Sequence, residues 1–89
     1  MERTFEAACF SIQDAPLVIV FMEDAAGPET FSALERAASA KGIEGEPAAV
    51  WPDQFGRTRF LARPHLHAFL RATGYDQLRA QINGSIELP

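Results

Sequence analysis

Leu17-Val18-Ile19-Val20-Phe21-Met22 is the stretch on which the fold turns. It places six large apolar residues in succession, three of them β-branched, and offers no polar phase at any period. In a strand, alternate residues point to opposite sides. A strand here is therefore central and shielded from water on both faces. A membrane-spanning helix needs roughly twenty apolar residues, so the run is too short to cross a bilayer and no membrane role is expected.

On the N-terminal side, residues 4–12 carry two alternating pairs, Phe5/Ala7 and Phe10/Ile12, whose phases disagree. A strand with a bulge near Ala8-Cys9 would reconcile them, because one extra residue exchanges the faces. Gln13-Asp14-Ala15-Pro16 then reads as a turn.

On the C-terminal side, Gly27-Pro28-Glu29 opens a helix, with proline suited to the first helical position and Glu29 at the positive end of the helix dipole. Phe31, Leu34 and Ala38 form its apolar stripe. Gly42 stands where a left-handed cap is needed, and Ile43 can fold back onto the last turn. Residues 47–51 predict a short strand, Pro52-Asp53-Gln54-Phe55-Gly56 a hairpin loop, and residues 58–62 the return strand. Pro64 starts a second helix carrying Leu66, Phe69 and Leu70, which Gly74 ends. Asp76 can cap a short helix over residues 77–83, and residues 85–88 add a final edge strand.

This element order, one domain over residues 1–89, predicts an α+β fold of the ferredoxin-like split β-α-β-β-α-(β) type. Residues 17–88 form its core, with an antiparallel sheet, helices on one face, and residues 3–12 as an extra N-terminal strand or arm. A thioredoxin-like arrangement is the runner-up; it needs a further helix for which residues 43–47 leave no room.

The composition, with 42 apolar side chains of which fifteen are alanine, is that of a folded globular chain. Seven arginines against one lysine hint at a GC-rich, bacterial coding sequence. The N-terminus lacks the basic and apolar segments of a secretory signal. Cys9 stands alone and cannot form an intramolecular disulfide. A cytoplasmic setting is the expectation. The net charge is −4, which argues against nucleic acid as a partner. Residues 1–53 hold ten acids and three bases, whereas residues 54–89 hold two acids and five bases. Positive charge is thus concentrated in the C-terminal part.

Within that part Arg57, Arg59, Leu61 and Arg63 alternate, so a strand would turn them to one face while Thr58, Phe60 and Ala62 turn to the other. Three guanidiniums on an open sheet face would suit carboxylates or phosphates of a partner. Trp51 and Phe55 form an aromatic tip beside them, and such side chains anchor interfaces. Glu23 and Asp24 follow the central strand and should meet Arg57 in a charged cluster. His65 and His67 point about 200° apart on a helix, a poor two-point metal site. Cys9 has the apolar neighbours of an inert, buried thiol. No glycine-rich phosphate loop, Cys-x-x-Cys pair or cofactor signature is present, and no cofactor or catalytic residue is assigned.

With helices on one side only, the second face of the central strand needs a cover. Residues 3–12, a partner, or a second copy of the chain could supply it. The sequence therefore suggests a small non-enzymatic interaction or regulatory module, dimeric through its sheet, with Arg57, Arg59, Arg63, Trp51 and Phe55 in contact. The alternative is a cofactor-free enzyme or ligand-binding domain, its pocket near His65, His67 or the Glu23/Asp24 end.

Overall fold

The computed structural model describes residues 3–25 and 27–88. Met1, Glu2 and Pro89, the ends of the expected domain, lie outside them. Five strands, β1 (Arg3–Ile12), β2 (Ala15–Phe21), β3 (Glu46–Pro52), β4 (Thr58–Leu61) and β5 (Gly84–Leu88), form one sheet in the order β4-β3-β2-β1-β5. Helix α1 (Pro28–Ala40) links β2 to β3; a 3₁₀ turn (Pro64–Leu66), α2 (His67–Ala72) and α3 (Tyr75–Arg79) link β4 to β5. The protein is α+β with a mixed sheet, because β2 and β3 run parallel while every other pairing is antiparallel. Among the described residues no helix is long and apolar enough to cross a membrane.

The central strand is as expected. Residues 17–22 are buried, and β2 sits in the middle of the sheet. The rest of the ferredoxin-like plan is corrected on two counts. A split βαβ unit leaves a slot between its parallel strands for the last strand. Here β3 lies directly beside β2, from Leu17 opposite Glu46 to Phe21 opposite Val50. Gly45 permits this close approach: its φ is +144°, and a Cβ there would stand 3.0 Å from Val18 Cγ2 and 3.2 Å from the carbonyl carbons of Pro16 and Leu17. The other side of β2 is taken by β1, which a two-residue turn at Gln13 and Asp14 (φ 51° and 66°) delivers to it. The last strand, β5, therefore pairs with the outer edge of β1.

The second correction concerns the layers, since helices cover both faces. Helix α1 seats Leu34 and Ala38 on Ala7, Val18, Val20, Met22, Ala49 and Ile86. Phe60 and Ala62 face the other way, and the chain leaving β4 at Pro64 follows them. It seats Leu66, Leu70 and Leu78 on Ala8, Leu17, Ile19, Phe21, Ala48 and Val50. Each fully buried Val, Leu or Ile contributes roughly 1.5–3 kcal/mol of transfer free energy. A single chain therefore covers the central strand above and below, and the sheet gives no reason for two copies to pair face to face.

The same two-sided core removes the expected bulge. Strand β1 pairs with β2 in unbroken register from Ala7 opposite Val20 to Ile12 opposite Ala15. Phe5, Ala7 and Cys9 pack on the α1 side, and Ala8, Phe10 and Ile12 on the other. The two conflicting phases are the two faces of one regular strand.

Helix α1 ends as its sequence suggests. Gly42 (φ 69°) donates its N–H to Ser39 O at 3.1 Å, Ile43 donates to Ala38 O at 2.9 Å, and Ile43 packs against the core. Phe31, expected in the buried stripe, is half-buried. Helix α3 is shorter than expected. Gly74 precedes it, Gln77 Oε1 accepts the Gly74 N–H at 2.9 Å, and Asp76 lies inside its first turn instead of capping it. Asn83 lies beyond it and clamps the Cys9 backbone, accepting its N–H at 2.9 Å and donating to its carbonyl at 2.8 Å.

Candidate interaction surface

The β3–β4 hairpin is built around Asp53. Its Oδ1 accepts the backbone N–H groups of Phe55 (2.8 Å) and Arg57 (2.9 Å). Its own N–H donates to Arg57 O at 3.0 Å, and its carbonyl accepts the Gly56 N–H at 3.1 Å. Oδ2 lies 3.5 Å from Arg59 Nε. The Arg57 N–H is the main reason the Asp53 carboxyl is held below an aspartate's ordinary 3.8; partial desolvation opposes it, and the Phe55 N–H and the charges of Arg59 and Arg57 add to it. Aspartate at a turn satisfies backbone donors in this way. The loop is ordered by its own hydrogen bonds.

That ordered loop presents Phe55, which is 74% exposed and the one large apolar side chain left in water among the described residues. The Arg57 guanidinium lies 5.9 Å from the Phe55 ring centroid, within cation–π range. Arg57 makes no ion pair among the described residues, so its charge remains available. Trp51 does not belong to the tip as expected. It lies within β3, opposite Arg59, and packs half-buried against the α1-side core.

Of the three arginines only Arg59 lies in β4, and it stands opposite Trp51 on the face that α1 covers, not on an open one; Arg57 and Arg63 lie beyond the strand's two ends, and the three are not equivalent. Arg63 Nη2 is 2.9 Å from Glu35 of α1, and its Nη1 is 3.4 Å from Glu46 of β3. The guanidinium thus joins a helix to a strand end. Of the three, Arg63 acts within the fold, Arg59 braces the hairpin, and Arg57 points to solvent.

The remaining residues singled out by sequence fall elsewhere. Glu23 pairs with Arg3 of β1 at 3.8 Å and does not meet Arg57, because β3 intervenes between β2 and β4. His67 Nε2 lies 2.9 Å from Ala62 O, so that nitrogen carries the proton; its ring packs 5.0 Å from that of Phe60. His65 is exposed, 3.9 Å from Glu46. The histidines thus serve two separate surfaces. Among the described residues no cluster of three or more His, Cys, Asp or Glu is arranged to hold a metal. Cys9 is a half-buried free thiol against the α1-side core.

Two open clefts lie at the carboxyl end of β2, one on each side of the Met22–Glu23 backbone. One, about 370 Å³, is edged by Arg3, Glu23, Asp24 and Glu29 over Phe5 and Leu88. The other, about 420 Å³, lies between Glu6, Phe21, Tyr75 and Arg79. Arg79 covers the Phe21 ring at 5.7 Å and pairs with Glu6 at 3.4 Å. The Tyr75 hydroxyl raises the Arg79 pKa, desolvation opposes it, and Glu6 adds to it. Neither the Arg79–Glu6 pair nor the Asn83 clamp is visible in the sequence, since their partners are 73 and 74 residues apart.

No family model matches the chain, and no curated protein or solved structure matches it. A function has to be argued from the surface itself.

Proposed function

We propose that the chain is a protein-interaction module, not an enzyme, and that it engages its partner through the β3–β4 hairpin. The observation that carries this reading is Phe55, a large apolar side chain held in water on a loop that Asp53 keeps rigid. An aromatic presented in this way loses little conformational freedom on binding, which is how a preordered loop gains affinity. Arg57 beside it, which makes no ion pair among the described residues, favours a partner surface bearing carboxylates. A cytoplasmic, bacterial regulatory role is the setting this reading assumes. The test is direct binding, with purified protein, of a partner identified by capture from the native host. Phe55→Ser combined with Arg57→Glu should weaken that binding at least about thirty-fold without altering the fold. Equal binding by wild type and variant would contradict the reading.

A second reading, a ligand-binding domain, rests on the paired clefts. They lie outside the carboxyl end of a strand in a parallel pair, a common place for ligands in such sheets. Their carboxylates outnumber their arginines, so the ligand class is an organic cation. Stabilisation of the fold by a panel of small amines, lost with Glu23→Gln and Glu29→Gln together, would favour it; no shift with any amine would end it.

A further inference from the structure

Strand β4 is an edge of the sheet, and its backbone has a defined open side. The Val50 carbonyl accepts the Met22 N–H at 2.8 Å, so Val50 is turned toward β2 and away from β4. Asp53 N–H, in contrast, donates to Arg57 O across the hairpin. Alternation along the ladder then points the N–H and C=O of Arg59 and Leu61 at β3, and those of Thr58 and Phe60 outward. His67 already fills the Ala62 carbonyl at one end of this edge. At the other end the Thr58 hydroxyl donates to Thr73 O at 2.9 Å. Thr58 and Phe60 remain, a two-residue template of backbone donors and acceptors. Beside them runs a groove of about 390 Å³, formed by residues 58–62 with His67 and Arg71 of α2. Its half-buried floor is Phe60 and Leu61; its charged groups are Arg71 and Arg59, whose Nε lies 3.5 Å from Asp53 Oδ2 while its side chain stays 67% exposed, and none of the lining residues is an acid.

We propose that this edge accepts an extended segment of a partner protein as a sixth strand, with an aspartate or glutamate directly opposite Arg59. Strand addition takes affinity from main-chain hydrogen bonds and selectivity from alternate side chains. The charge selects the occupant. A second copy pairing antiparallel through Thr58 and Phe60 would set Arg59 opposite its own symmetry mate, and like charges at directly opposed positions are destabilising. An acidic residue at that position turns the repulsion into an ion pair. The inference deepens the interaction reading and rests on it for the existence of a partner. It concerns a different surface, the strand edge instead of the loop tip.

The probe is a short dye-labelled peptide of alternating threonine and valine around one central glutamate, with a central-lysine twin as its counterpart. Wild-type protein should bind the glutamate peptide about ten-fold more tightly than the lysine peptide, and Arg59→Glu should reverse the order. In ¹⁵N–¹H spectra the Thr58 and Phe60 amides should shift and gain protection from exchange when the glutamate peptide is added. N-methylation of alternate peptide amides should abolish binding. Absence of any effect on the Thr58 and Phe60 amides, or no change of peptide preference in Arg59→Glu, would overturn the inference. Protection of those amides rising with protein concentration alone would also overturn it, by showing a second copy in the groove. The Phe55→Ser/Arg57→Glu variant separates the two surfaces. It should still bind the peptide; if it also keeps its native partner, the hairpin reading fails while the strand-edge result stands.

Discussion

Strand β2 and the β3–β4 hairpin are both rich in residues that avoid or attract partners, yet the fold treats them in opposite ways. In β2 every large side chain from Leu17 to Met22 is buried by the chain itself, odd positions under α2 and α3 and even positions under α1. In the hairpin, backbone polar groups are satisfied locally by Asp53 while Phe55 and Arg57 face water. Apolar density along the sequence therefore marks where the protein is closed. The isolated aromatic on a hydrogen-bonded loop marks where it is open.

The contrast breaks most visibly if one face of β2 is less sealed than the other. Leu34→Ala, under α1, and Leu70→Ala, under α2, should each lower unfolding free energy by about 3 kcal/mol in urea titrations. A loss below about 1 kcal/mol for Leu70→Ala would mean that the second helical layer does not close the sheet.

The next effect concerns how β3 comes to lie against β2. Gly45→Ala forces a Cβ into Val18 and the backbone of residues 16 and 17 at a positive φ. It should cost about 2 kcal/mol by the same titration. An unchanged midpoint would show that β3 can shift away without penalty.

Arg63 tests whether the arginines divide as described. Arg63→Ala should reduce stability by roughly 0.5–1 kcal/mol, because Glu35 and Glu46 lose their shared cation, and should leave partner binding unchanged. Loss of binding without loss of stability would return Arg63 to the contact surface. Phe55→Ser is the converse, with stability unchanged to within about 0.5 kcal/mol.

The smallest effect is the pH response of the hairpin. The Asp53 carboxyl is held below its ordinary 3.8, so it stabilises the folded loop above that pH and ceases to do so as pH falls through its folded value. Exchange of the Phe55 and Arg57 amides, corrected for intrinsic rate, should become less protected below pH 3.8. Asp53→Asn should remove that dependence.

Much of the fold was legible, and what was missed shares one cause. The β2 run, the proline start and glycine stop of α1, and the hairpin are local signals, and the structure bears them out. Which strand neighbours which is a long-range property. The order turned on Gly45 admitting β3 beside β2 and on the tight turn at Gln13-Asp14, neither of which reads as topology in the sequence. The phases of β1 point to a bulge only while helices are expected on one face of the sheet; with helices over both, Ala7 and Ala8 are both interior to one regular strand. At the hairpin, alternation predicts three arginines on one open face, whereas only Arg59 lies within β4, on the side that α1 covers. The arginines' different duties depended on Glu35 and Glu46, 28 and 17 residues upstream of Arg63, which no spacing rule connects to it.

Native-state hydrogen exchange across a range of protein concentrations tests most directly whether one copy of this chain seals its own central strand. The amides of Leu17, Val18, Ile19, Val20 and Phe21 should exchange only through global unfolding, at rates that do not vary with dilution. Protection of those amides that weakens as the protein is diluted would show that a second molecule completes the core, contradicting the two-sided burial within a single chain.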